Sequence, residues 1–149
     1  MSLKERLQED WKQALKSGDK LKAGTISMVK AAILLVEKSD GKKLDDDEKI
    51  IDIISKEVKQ RRESILEFEK GKRQDLVDKA KSEIEILLKY LPQQLNKEDI
   101  SEIVRKAVNE VGAQSIRDMK KVMAAVMPKT RGRADGKLVS QIVKKYLNK

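Results

Sequence analysis

Apolar residues recur along this chain every three or four positions, and no stretch alternates with period two over the length of a strand. Leu3, Leu7, Trp11 and Leu15 share one helical face behind a capping pair, Ser2 with Glu5. Gly18-Asp19 interrupts the pattern, and a second helix puts Ile26, Val29, Ile33 and Val36 on one side before Ser39-Asp40-Gly41 ends it. Asp45, Asp46, Asp47 and Glu48 open a long third helix. Acids in a first turn complement the helix dipole, so this cluster reads as a cap and not as a metal site. The third helix repeats Ile51, Ile54, Val58, Ile65 and Phe68, and Gly71 ends it. The fourth carries Val77, Ala80, Ile84, Leu87 and Leu91 and stops at Pro92.

Beyond Pro92 the pattern resumes in three shorter helices. Asn96 with Asp99 opens the first, which holds Ile100, Ile103, Val104, Ala107 and Val111 and closes at Gly112. Ser115 caps the next, with Ile116, Met119, Met123 and Val126 facing inward and Pro128 as its end. Asp135 caps the last, whose inner face is Leu138, Val139, Ile142, Val143 and Tyr146. The expected fold is all-α: a four-helix N-terminal domain over residues 1–95, then a three-helix C-terminal domain over 96–149, hinged at LPQQLNKED. A unit as small as the second is marginal by itself.

Composition narrows the chemistry. The chain has 149 residues, with neither histidine nor cysteine. The usual general base near neutral pH, the usual thiol nucleophile and the usual zinc ligands are therefore missing. Neither GxxxxGK[ST] nor GxGxxG occurs. No residue pair stands out for Ser-Lys or carboxylate catalysis, so no catalytic residue, metal or cofactor is expected. No apolar run reaches membrane-spanning length and no signal core opens the chain, which sets a cytoplasmic, membrane-free expectation.

Charge changes the picture more. The formal net charge is +9, and from Asn96 onward 13 Lys and Arg stand against 6 Asp and Glu. The excess gathers around PKTRGRADGK, where Lys129, Arg131, Arg133 and Lys137 surround Gly132 and Gly136 ahead of the last helix. The two glycines permit backbone angles closed to other residues. Asp135 fits a capping carboxylate that fixes this turn. Lys137 and Lys144 share a face of the last helix, and Arg117 and Lys121 share one on the sixth, with Lys120 beside them. Two readings fit: a tight helix connection with a solvated basic rim, or a docking surface for a phosphate backbone. With Trp11, Phe68, Tyr90 and Tyr146 as its only aromatics, the chain offers no stacking platform, so folded RNA suits it better than a single strand.

A second anomaly lies in the third helix, where Arg61 occupies a position on the apolar stripe and Arg62 follows it. Arg61 fits an edge arginine with a packed stem, a partly buried pair with a carboxylate, or a binding residue.

The stretches KEVKQRRESILEFEKGKRQDLVDKAKSEIEILLKYLPQQL and VGAQSIRDMKKVMAAVMPKTRGRADGKLVSQIVK resemble the YqeY proteins of the GatB/YqeY group, with KYLP and GRADG as the most specific matches. That family is all-helical with two domains, and its C-terminal domain is similar to the tail of the B subunit of the tRNA-dependent amidotransferase, which contacts tRNA. The resemblance implies a non-catalytic tRNA-binding or amidotransferase-associated role, with tRNA, the amidotransferase or another translation protein as partner. A helical protein-interaction module without RNA binding is the alternative. Lys120 and Ala124 stand where the family commonly has glycine, and both favour helix.

Overall fold

A computed structural model describes residues 1–148. It contains seven α-helices and one short 3₁₀ turn, and no strand occurs among the described residues. The chain divides into two compact units, one spanning Met1–Leu91 and one beginning at Pro92.

The first unit holds α1 (Leu3–Ser17), α2 (Lys20–Asp40), α3 (Asp47–Lys70) and α4 (Gln74–Leu88). The Ser2 side chain accepts from the Glu5 amide at 3.1 Å and the Asp19 carboxylate from the Lys22 amide at 3.1 Å, so each helix start satisfies part of its own unpaired donors. In the acidic cluster Asp46 is the cap of α3, accepting from the Glu48 amide at 3.0 Å, while Asp47 accepts from the Leu3 amide at 3.1 Å. The core gathers Leu7, Ile26, Val29, Ile33, Ile50, Ile54, Val58, Ile84, Leu87 and Tyr90. On α3 the inward stripe is Ile50, Ile54, Val58 and Arg61; Ile51, expected inside, is only half-buried. Helices α1 and α2 run in opposite directions: Lys4 pairs with Glu37 at 2.7 Å, and the Trp11 indole donates to Ser27 Oγ at 2.9 Å.

The second unit holds α5 (Lys97–Val111), a 3₁₀ turn (Ile116–Asp118), α6 (Met119–Thr130) and α7 (Gly136–Leu147). Two reciprocal capping boxes, Asn96 with Asp99 and Ser115 with Asp118, start α5 and the 3₁₀ turn. Ile100, Val104, Ala107, Val122, Val126, Val139 and Val143 are its fully enclosed core. Three details differ from the expectation. Pro128 lies inside α6, which continues to Thr130; the missing proline donor removes one bond near the end, and Arg131 N closes the last turn on Met127 O. Ile116 is exposed because Ser115 begins a 3₁₀ turn whose phase differs from that of α6. The boundary falls before Pro92 and not after Leu95, since Gln93, Gln94 and Leu95 hydrogen-bond to the turn between α6 and α7.

Candidate interaction surfaces

The basic turn folds around Gly132, whose φ of 74° is the left-handed conformation that a side chain disfavours. Arg133 N and Ala134 N both donate to Thr130 O, at 2.8 and 3.1 Å. Gly136 is different: it is the first residue of α7 with no positive φ, and a methyl group there would meet nothing within 4 Å. Only one of the two glycines is therefore demanded by the backbone. Asp135 caps α7, accepting from the Lys137 amide at 3.2 Å.

The four sequence-predicted cations of the turn have unequal roles. Arg133 points back into its own unit. Its guanidinium donates to Gln93 O at 3.1 Å and to Lys129 O at 3.2 Å, its carbonyl accepts from Leu95 N at 2.8 Å, and Gln94 Nε2 donates to Gly132 O at 2.8 Å. These bonds staple the entry segment of the unit to the turn. Lys129, Arg131 and Lys137 are exposed. Arg117, Lys120, Lys121 and Lys144 are exposed too, outside the turn on the 3₁₀ turn, α6 and α7. Ala124 is also exposed.

The acids of this unit are largely engaged locally. Asp99, Asp118 and Asp135 are caps, and Glu102 pairs with Arg105. Backbone donation from Gln114, then from Ser115, holds the Asp118 carboxyl below its ordinary range, and the Arg105 guanidinium does the same for Glu102. Four of the six carboxylates thus face helix starts or a neighbour, while the lysines face solvent.

In the first unit Arg61 is buried, with 8% of its surface exposed, and it bridges helices. Its guanidinium donates to Glu57 O and Glu57 Oε1 at 3.1 Å on its own helix, to Glu83 Oε2 at 3.3 Å on α4, and reaches Met28 Sδ on α2 at 3.2 Å. Arg61 Nε is buried without a partner. Arg62 is exposed and takes no part. Of the three readings of Arg61, the geometry selects the buried pair with a carboxylate.

Tyr90 closes the same unit. Its hydroxyl donates to Asp10, and the Arg6 guanidinium lies 4.6 Å from its ring centre. Burial, and then the Asp10 hydrogen bond, push the phenol well above its ordinary value of 10. The folded state thus favours the protonated form. Its contribution is complete below pH 10 and is lost as the pH rises beyond it. The urea midpoint should therefore fall more between about pH 9 and pH 11 in the native chain than in Tyr90→Phe. Equal falls would show that this phenol does not contribute.

One surface had no counterpart in the sequence reading. A groove of about 630 Å³ opens between α1 and α2, bordered by Met1, Lys4, Gln8, Lys30, Ala31 and Leu34. Next to it Met28, Leu34 and Leu35 stand 52%, 51% and 71% exposed, an unusual amount of large apolar surface for one helix. The available signal was that α2 is apolar around most of its circumference, which calls for burial on more than one side.

Comparison with known proteins gives one family and a set of named relatives. The Yqey-like protein family matches over residues 4–147. A protein of Pyrenophora tritici-repentis named "Altered inheritance of mitochondria protein 41, mitochondrial" is 32% identical over 145 residues, 95% of this chain and 79% of the relative. Proteins of the same name from Kluyveromyces lactis and Saccharomyces cerevisiae are 42% and 37% identical over 56% and 58% of this chain. The matches span only 45% and 47% of those two relatives, about half their length. These names correct two expectations. They speak of mitochondrial inheritance and not of tRNA or an amidotransferase, which overturns the tRNA-binding, amidotransferase-associated function. They also describe mitochondrial proteins, which overturns the cytoplasmic location. In the turn, the Arg133 guanidinium, expected as a phosphate ligand, donates to two backbone carbonyls. No described helix is long and apolar enough to cross a membrane, and no metal-binding cluster of His, Cys, Asp or Glu occurs among the described residues.

Proposed function

The chain belongs to the Yqey-like family, and on that premise we propose that it is a non-catalytic helical binding module whose C-terminal unit docks an acidic face of another protein. One observation carries this reading: in a unit with more than twice as many cations as acids, the acids are mostly tied to helix caps and to one local pair. The outward field is then set by exposed lysines and arginines on the 3₁₀ turn, α6, the turn and α7. Lysines are compact, strongly hydrated charges that act through a long-range field, which steers a partner carrying an acidic face. Two donors of Arg133, on Nε and Nη1, are already engaged by backbone carbonyls.

The test is capture by the full immobilised chain from an extract treated with nuclease, with partners identified by mass spectrometry. The reading expects an acidic protein whose recovery falls steeply as salt rises. Lys120→Glu with Lys121→Glu and Lys129→Glu should weaken its binding by about tenfold or more with helicity unchanged. Capture that disappears after nuclease treatment, or that survives the triple charge reversal, would overturn the proposal.

A further inference from the structure

The outward side of α2 has an order that its exposure alone does not require. Leu21, Gly24, Met28, Ala31 and Leu35 follow one another at spacings of three and four, the pattern of a helix seam that expects a second helix. Gly24, Met28, Ala31 and Leu35 are exposed, and Leu21 is half-buried. Gly24 lies well inside α2, where glycine is less favourable than alanine by about 1 kcal/mol. A methyl group at that position would meet nothing within 4 Å, so no part of this chain needs the space. The residues flanking the seam are Thr25 and Ala32 on one side and Ser27 and Leu34 on the other, so between Leu21 and Leu35 the strip and its edges carry no charge.

The sizes along the seam identify its occupant. Large and small residues alternate, and in an antiparallel pairing each seam residue faces the opposite class of position on the other helix. Centred between Val29 and Lys30, such a pairing seats Leu35 of one copy over Gly24 of the other and Met28 over Ala31. The stem of Lys38 lies along Leu21 at each end, leaving its ammonium in water. Leu35 and Met28 each meet a small residue, and no charged residue lies in the seam between those layers. A two-fold axis generates the same contacts twice, as a closed dimer requires. We infer that α2 is the interface of an antiparallel homodimer, with Gly24 as the socket for Leu35 of the second copy. This dimer uses the N-terminal unit and is independent of the acidic partner proposed for the other unit.

Sedimentation equilibrium of the full 17.0 kDa chain should show its mass rising toward twice that value with concentration. Leu35→Glu, at a position 71% exposed and so harmless to the fold, should hold it monomeric. Gly24→Leu should weaken association by at least about tenfold, and adding Leu35→Ala to it should restore most of the loss, because knob and socket have exchanged places. The chain has no cysteine, so single cysteines report the register cleanly. Under oxidation, Gly24→Cys mixed with Leu35→Cys should form a mixed dimer, while neither variant links to itself. In the antiparallel register, like positions lie eleven residues out of step, on the order of 16 Å, beyond disulfide reach. A monomer at every concentration, an unaffected Leu35→Glu dimer, or self-linking of Leu35→Cys would each overturn the inference.

Discussion

Replacing Arg61 with methionine is expected to lower the unfolding free energy by about 3 kcal/mol, the lower end of the range for breaking a buried ion pair. Methionine keeps much of the packed stem, so the loss is electrostatic. Glu57 and Glu83, with only 13% and 15% of their side chains exposed, would face each other without the cation that bridges them. Two carboxylates left in a poorly solvated seam repel, and neither regains full hydration. The lower end applies because some water reaches both groups. The diagnostic is rescue: Glu57→Gln with Glu83→Gln, added to Arg61→Met, should recover part of the loss, since neutral amides tolerate the seam better than ions do. Urea denaturation of the single, double and triple variants measures each difference. A loss under about 1 kcal/mol for Arg61→Met would mean that the bridge is effectively solvated.

Ile100→Ala is expected to remove the fold of the second unit. Ile100 is fully enclosed, and truncating such a residue costs about 2–5 kcal/mol. A core as small as this one supplies only about 3–5 kcal/mol, so the deletion removes most of its margin. Hydrogen exchange locates the effect. Amides of α5, α6 and α7 should lose protection, while those buried in the separate core of α1–α4 should keep theirs. Retained protection in α5 would show that the unit draws stability from beyond its own core.

The sequence made local features legible and left non-local ones hidden. Helix starts were readable because Ser2, Asp19, Asn96 and Asp135 act on amides two or three residues away. The two cores were readable from the spacing of isoleucine, valine and leucine. Arg61 stands out as an anomaly, but its partner Glu83 lies 22 positions further along, so the sequence does not single out the buried pair. The bond from Arg133 is hidden for the same reason: the carbonyl of Gln93 lies 40 positions upstream, and nothing local shows that the guanidinium turns toward it. Charge clustering therefore suggested a ligand where the fold had an internal use. The α2 face stays hidden in the sequence because Ile26, Val29 and Ile33 already supply the one buried stripe a helix needs. Pro128 was read as a terminator, yet the last turn of a helix tolerates a missing donor when Arg131 N supplies the closing bond.

The division of labour between carboxylates and lysines in the second unit has an evolutionary corollary. Asp99, Asp118 and Asp135 specify where segments begin, and moving one would unravel a start. The solvent-facing ammonium groups specify nothing about the backbone. Lineages can therefore relocate, add or lose positive side chains to follow a changing partner while the architecture stays fixed. In an alignment of relatives, the aspartates should be frozen and the lysines should drift in place while keeping their sum.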